Sequence, residues 1–133
     1  MKLHHIGIVC KENQIDKFYF KPKKKFTYYD KVQNNKLIIE FNKDNNLWME
    51  FVVPQNKNST VYNYLVKHGP GVHHFGYITK KINEKKKLLS KRKDFFYINS
   101  YTTNVLCFGG LIKTMFFYNN NFLIELLENV DKK

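Results

Sequence analysis

Two histidines and two glutamates stand at matching places in the two halves of this chain. His5 lies in His4-His5-Ile6-Gly7-Ile8, and His74 lies in His73-His74-Phe75-Gly76-Tyr77, 69 residues later. Glu50 lies in Leu47-Trp48-Met49-Glu50-Phe51-Val52, and Glu125 in Phe122-Leu123-Ile124-Glu125-Leu126-Leu127, 75 residues later. A carboxylate in the middle of an apolar strand is costly to bury unless it is paired or bound to metal. Taken singly, a strand histidine is more often a hydrogen-bonded core or surface group, and a strand glutamate more often faces solvent. Recurrence of all four in a duplicated unit is what exposed groups would not show, and metal binding accounts for both carboxylates at once. Side chains alternate across a strand, so only one histidine of each pair can face a common site. His5 shares its face with Gly7 and Val9, and His74 with Gly76 and Ile78; the glycines leave room beside each. His4 and His73 are expected to face the other way.

The elements that must position these groups follow from apolar runs bounded by turn residues. Each half reads as strand, helix, then three strands. In the first half the strands fall at about Leu3 to Val9, Lys25 to Tyr29, Lys36 to Phe41 and Leu47 to Val53. A helix is expected from Asn13 to Phe20, ended by Pro22. Turns fall at Gln33-Asn34-Asn35 and Asp44-Asn45-Asn46. The second half places strands at Val72 to Ile78, Phe95 to Ile98, Ile112 to Tyr118 and Phe122 to Leu127, a helix from Asn83 to Lys91, and a hairpin turn at Asn119-Asn120-Asn121. Between them, Ser59-Thr60 is placed to cap a connecting helix carrying Val61, Tyr64 and Leu65, which Gly69-Pro70-Gly71 ends. The expected architecture is α+β: one domain over 1–133, with module one at about 1–54, the connecting helix at about 55–70 and module two at about 71–133. Two tandem βαβββ modules would pair into one half-open eight-stranded barrel whose cup holds the site.

Composition bounds the remaining classes. The 133 residues suffice for one core, and 43% hydrophobic content with 12 Phe and 9 Tyr excludes a disordered chain. Met1-Lys2-Leu3-His4-His5 has no charged segment leading into an apolar stretch, and no apolar run reaches the roughly 18 residues of a membrane span, so no membrane association is expected. Cys10 and Cys107 form no CxxC pair and no disulfide framework, which favours a reducing, cytoplasmic setting. The net charge of +12, with runs at Lys23-Lys24-Lys25 and Lys85-Lys86-Lys87, invites a nucleic-acid reading. The excess of Lys, Asn, Ile, Phe and Tyr matches AT-rich codons, so a solvated basic surface is expected and no nucleic-acid partner. Such a surface can still steer an anionic substrate.

The motifs His4-His5-Ile6-Gly7-Ile8-Val9, Met49-Glu50-Phe51-Val52-Val53-Pro54, Val61 to Leu65 leading into His68-Gly69-Pro70-Gly71-Val72-His73-His74-Phe75-Gly76, and Leu123-Ile124-Glu125-Leu126-Leu127-Glu128 together cover nearly the whole chain. They resemble the methylmalonyl-CoA epimerase branch of the vicinal-oxygen-chelate (glyoxalase/bleomycin resistance) superfamily. The resemblance implies one divalent cation held by His5, Glu50, His74 and Glu125. A small-molecule substrate is expected, with a CoA-linked or phosphorylated one among the candidates that the lysine charge could steer, and a homodimer is the candidate assembly. The resemblance also implies an acidic second base between strands two and three. The best-matching position here is Gln33, an amide that cannot take a proton, and moving the role to Asp30 needs a register change.

Two imidazoles and two carboxylates suit zinc, cobalt, nickel, manganese or iron, and an octahedral ion would keep two positions for adjacent substrate oxygens. The expected activity is a metal-dependent isomerase or epimerase working through an enolate, with Glu125 as general base and Glu50 as the alternative. Rival readings are a lyase, a dioxygenase using His5, His74 and Glu125, and a non-enzymatic resistance-type module stacking ligands on Trp48, Tyr77 and Phe117. The loop Phe108-Gly109-Gly110 lies where the family often has a glycine-containing loop near the ligand; otherwise it is a flexible turn.

Overall fold

The computed structural model describes residues 1–18, 25–120 and 122–131. The chain divides into two compact units, residues 5–73 and residues 1–4 with 74–133. In the first, β1 (Lys2–Val9) is followed by a 3₁₀ helix (Glu12–Phe18), then β2 (Lys25–Asp30), β3 (Asn35–Asn42), β4 (Leu47–Pro54) and helix α1 (Tyr62–His68). Its strands lie in the order β2-β3-β4-β1, with β1 parallel to β4 and the other pairs antiparallel. In the second, β5 (Gly71–Ile78), α2 (Ile82–Ser90), β6 (Phe95–Val105), a short 3₁₀ turn (Leu106–Phe108), β7 (Gly110–Asn119) and β8 (Phe122–Asn129) give the order β5-β8-β7-β6, with β5 parallel to β8. The α+β class and the repeated strand-helix-strand-strand-strand pattern are as the sequence predicts.

In each unit the strands present two faces. In the first unit Ile8, Cys10, Ile38, Met49, Phe51 and Val53 pack with Ile15 of the 3₁₀ helix on one face. On the other face, Val9 and Val52 take Val61 and Leu65 of the α1 segment. In the second unit Ile82 and Leu89 of α2 pack on Met115, Phe117 and Leu126. Phe51 and Phe117 are fully buried, each worth roughly 1.5–3 kcal/mol over an exposed ring.

Asparagine makes the turns. Asn34, Asn46 and Asn120 adopt φ of 57°, 51° and 55°, the left-handed region that Asn tolerates better than other residues with a side chain. The Asp30 Oδ1 accepts the backbone N–H groups of Val32 and Gln33, and Asn42 Oδ1 accepts those of Asp44 and Asn45.

Three elements differ from expectation. The helix expected from Asn13 to Phe20 is a 3₁₀ helix over Glu12–Phe18, with Tyr19, Phe20 and Pro22 outside the described residues. Among its described side chains Ile15 is buried, packed with Ile8, Cys10 and Met49. Ser59 is not the cap of α1: Val61 occupies that position, and the Ser59 hydroxyl instead accepts the Val61 N–H and donates to buried Asn35. β6 runs on to Val105, well past Ile98, through a register irregularity between Tyr97 and Asn99. Its Asn99, Ser100, Thr102, Thr103 and Asn104 are exposed, and the ladder to β7 extends the strand where composition reads as loop.

Candidate metal centre

The parallel pairing of first and last strand is what brings histidine and glutamate together in each unit. In the first, His5 is registered with Trp48 and Gly7 with Glu50. In the second, His74 is registered with Leu123 and Gly76 with Glu125. The two registers are the same, and in each the carboxylate has a glycine as its strand neighbour. With no Cβ on that neighbour, the space beside the carboxylate stays open on the face it shares with the histidine.

All four groups are buried, at 0% exposure for His5, 9% for Glu50, 4% for His74 and 6% for Glu125. His74 Nε2 lies 3.3 Å from Glu125 Oε1. The ligand atoms of His5 and Glu50 come within 4.8 Å of one another. On the antiparallel side Ile39 faces Glu50 and Phe116 faces Glu125, so each carboxylate is flanked by an apolar group that keeps water away. The Phe116 ring sits edge-on to His74 at 6.5 Å and stacks on Tyr101 at 5.9 Å. Buried Thr114 shares this face. Sequence reading missed Phe116, Tyr101 and Thr114, although the hairpin turn at Asn119 to Asn121 fixes the register that places them.

The remaining expected residues are sorted by the same alternation. His4 packs against the Phe108 ring at 4.5 Å, and His73 meets Tyr64 at 5.2 Å, on the strand faces opposite His5 and His74 respectively. Of the stacking aromatics, Tyr77 and Phe117 belong to the core under α2, on the face away from Glu125. Trp48 lies on the ligand face, between Phe41 at 4.8 Å and Phe26 at 6.1 Å.

Gln33 sits in the β2–β3 turn, where its Oε1 accepts the Thr60 hydroxyl and its carbonyl accepts the Thr60 N–H. The two nearby acids are placed otherwise. Asp30 is occupied as the acceptor of the same turn. Glu40 is registered with Met49 and Lys25, so it faces away from Glu50, and burial raises its carboxyl above the usual range. Cys10 is fully buried, and burial pushes its thiol up to about 11, far from a nucleophile.

The loop Phe108-Gly109-Gly110 is pinned. Gly109 and Gly110 have φ of 104° and 117°, the Asn129 amide donates to the Phe108 carbonyl, and Asp131 accepts the Leu111 N–H at 2.8 Å. Of the lysine runs, Lys23 and Lys24 lie outside the described residues, while Lys86 on α2 places its Nζ 4.0 Å from the Tyr97 ring centre. No helix among the described residues is long and apolar enough to cross a membrane.

Each unit thus holds one buried imidazole and one buried carboxylate as candidate metal donors, His5 with Glu50 and His74 with Glu125. The fit is chemical: buried imidazoles and carboxylates are the donors a borderline or hard divalent cation takes, and the cation offsets the desolvated negative charge.

Comparison with known structures gives the same fold. A variant Streptomyces coelicolor methylmalonyl-CoA epimerase in complex with 2-nitronate-propionyl-CoA is 19% identical, with a TM-score of 0.73 and 98% of each chain covered. The methylmalonyl-CoA epimerase of Mycobacterium tuberculosis is 14% identical, with a TM-score of 0.73, covering 97% of this chain and 88% of that one. A hypothetical protein from Bacillus halodurans C-125 is 21% identical, with a TM-score of 0.75, covering 99% and 96%. No curated protein sequence matches. The family model described as Glyoxalase/Bleomycin resistance protein/Dioxygenase superfamily matches residues 4–96, and the chain belongs to that superfamily.

Proposed function

We propose that His5, Glu50, His74 and Glu125 hold one divalent cation and that the protein is a metal-dependent isomerase of the epimerase kind, acting at the carbon next to a substrate carbonyl. The observation that carries this reading is the doubled register, in which a buried histidine and a buried glutamate share a face beside a glycine in both units. The epimerase neighbours support it, and the substrate of one of them, methylmalonyl-CoA, makes a CoA-linked acyl group the first class to test here.

The chemistry a divalent cation supplies at these ligands is stabilisation of negative charge developing on the carbonyl oxygen. Glu125 takes the proton from the adjacent carbon and returns it to either face of that carbon once it is planar, with His74 Nε2 3.3 Å from its Oε1. Glu50 is the alternative base on the equivalent strand. Ile39 and Phe116 exclude water from the two carboxylates. With Gln33 an amide bound to Thr60, the reaction uses carboxylates of the ligand set alone. That favours one-base chemistry and keeps a lyase of the same fold as the second reading. A dioxygenase is disfavoured because Glu50 would crowd an oxygen-binding position.

The test is metal-loaded protein with methylmalonyl-CoA and related 2-substituted acyl substrates in deuterated water. Exchange of the α-proton, lost in Glu125→Gln, is expected; no exchange with any of them rejects the enolate chemistry. Elemental analysis checks the site separately: stoichiometric metal in the native protein, and loss of it in His5→Ala and His74→Ala.

A further inference from the structure

The two units repeat the ligands but not what stands beside them. Next to His5 in register is Trp48; next to His74 is Leu123. Opposite Trp48 on β3 is Phe41, whereas opposite Leu123 on β7 is Tyr118, which is 45% exposed. One strand further out, Phe26 faces Ile39, and the corresponding partner of Phe116 is Asn99. The first unit therefore carries a half-buried wall of three rings, Trp48 between Phe41 and Phe26, on the ligand face and one step along the strands from Glu50. Neighbouring strands lie about 4.8 Å apart, so the indole is within reach of anything bound at His5.

We infer that this wall selects the substrate: the group attached next to the chelating oxygens is a flat, apolar one, an aryl group above all, which lies against Trp48. The inference rests on the proposed metal site and narrows its substrate class. Three rings meeting at tilted angles offer a face and edges to a further ring, a contact that adds to simple area burial. A methyl group, as on methylmalonyl, would leave most of that surface unfilled. The asymmetry also fixes orientation, because the equivalent positions of the second unit hold Leu123, Tyr118 and Asn99.

Trp48 is the only tryptophan, so its fluorescence reports on the site directly. Titration of the protein with Co²⁺ should quench it, and the quenching should disappear in His5→Ala. No quenching, with no bound metal by elemental analysis, overturns the metal site and this inference together. With metal bound, calorimetry compares benzohydroxamate and acetohydroxamate, two oxygen chelators that differ by the ring. Native protein should prefer the aryl ligand by about tenfold or more. That preference should fall to about threefold or less in Trp48→Leu, with metal content unchanged. Phe41→Leu serves as the second variant should Trp48→Leu fail to fold, with a smaller drop expected. An undiminished preference in a folded, metal-loaded variant overturns the aryl assignment and leaves the metal site standing.

Discussion

The four buried histidines and glutamates proposed as ligands stand out in the sequence because they occur twice. A single His-His or a single glutamate in an apolar strand has an ordinary explanation, but the same types at the same strand positions in both halves do not. Their surroundings were less legible, since Phe116, Tyr101 and Phe41 become neighbours only through antiparallel ladders whose register depends on turn geometry. Glu40 shows the converse, an acid that sequence reading passed over. It is 4% exposed, its Oε2 has no hydrogen-bond partner among the described residues, and burial raises its carboxyl, with Lys25 partly opposing and Asp16 reinforcing the rise. A carboxyl that holds its proton more tightly in the folded chain than in the unfolded one binds more protons when folded. Its contribution is thus fully present below the ordinary carboxylate value of 4.5 and lost as pH rises through the raised value. Glu40→Gln, which mimics the neutral form, is expected to be more stable than native protein at pH 7 by on the order of 1 kcal/mol, because it removes a buried charge that Lys25 only partly offsets. Urea unfolding at pH 7 and pH 4 checks this, and the gain should vanish at the lower pH.

At the scale of elements, strands with apolar alternation were legible to within one or two residues, and the departures have local causes. β6 is a polar edge strand whose extent is set by its partner β7, and the segment over Glu12–Phe18 closes as a 3₁₀ helix with Ile15 buried. The turn into β7 carries a testable constraint. Gly110 has φ of 117°, and a Cβ there would meet the Asp131 carboxylate at 2.6 Å, the same carboxylate that accepts the Leu111 N–H. Gly110→Ala combines left-handed strain with displacement of that hydrogen bond and should destabilise by about 1–3 kcal/mol in thermal or chemical unfolding. Helix α1 depends on few contacts. Leu65 is its buried residue, packed with Val9, Val52 and Val61. Leu65→Ala should therefore cost about 2–5 kcal/mol by the same measurements.

For the whole molecule, duplication couples chemistry to stability. Each unit buries one imidazole and one carboxylate on its ligand face, so without a cation each holds a desolvated carboxylate whose charge the fold must tolerate. If one ion takes all four ligands, as proposed, it binds the folded chain and not the unfolded one, because positions 5, 50, 74 and 125 are far apart along the unfolded chain. Mass action then stabilises the protein by about 2.7 kcal/mol at a hundredfold excess over Kd. For a chain of this size each kcal/mol moves Tm by roughly 3–5 °C, so the rise should be on the order of 10 °C. Scanning calorimetry with Zn²⁺ or Co²⁺ and with a chelator measures it. The decisive comparison is between units: His5→Ala removes a ligand from the first and His74→Ala from the second, and each alone should abolish most of the metal-dependent rise. Two independent half-sites would instead lose about half of it in each variant, and that result would replace one shared ion with two separate ones.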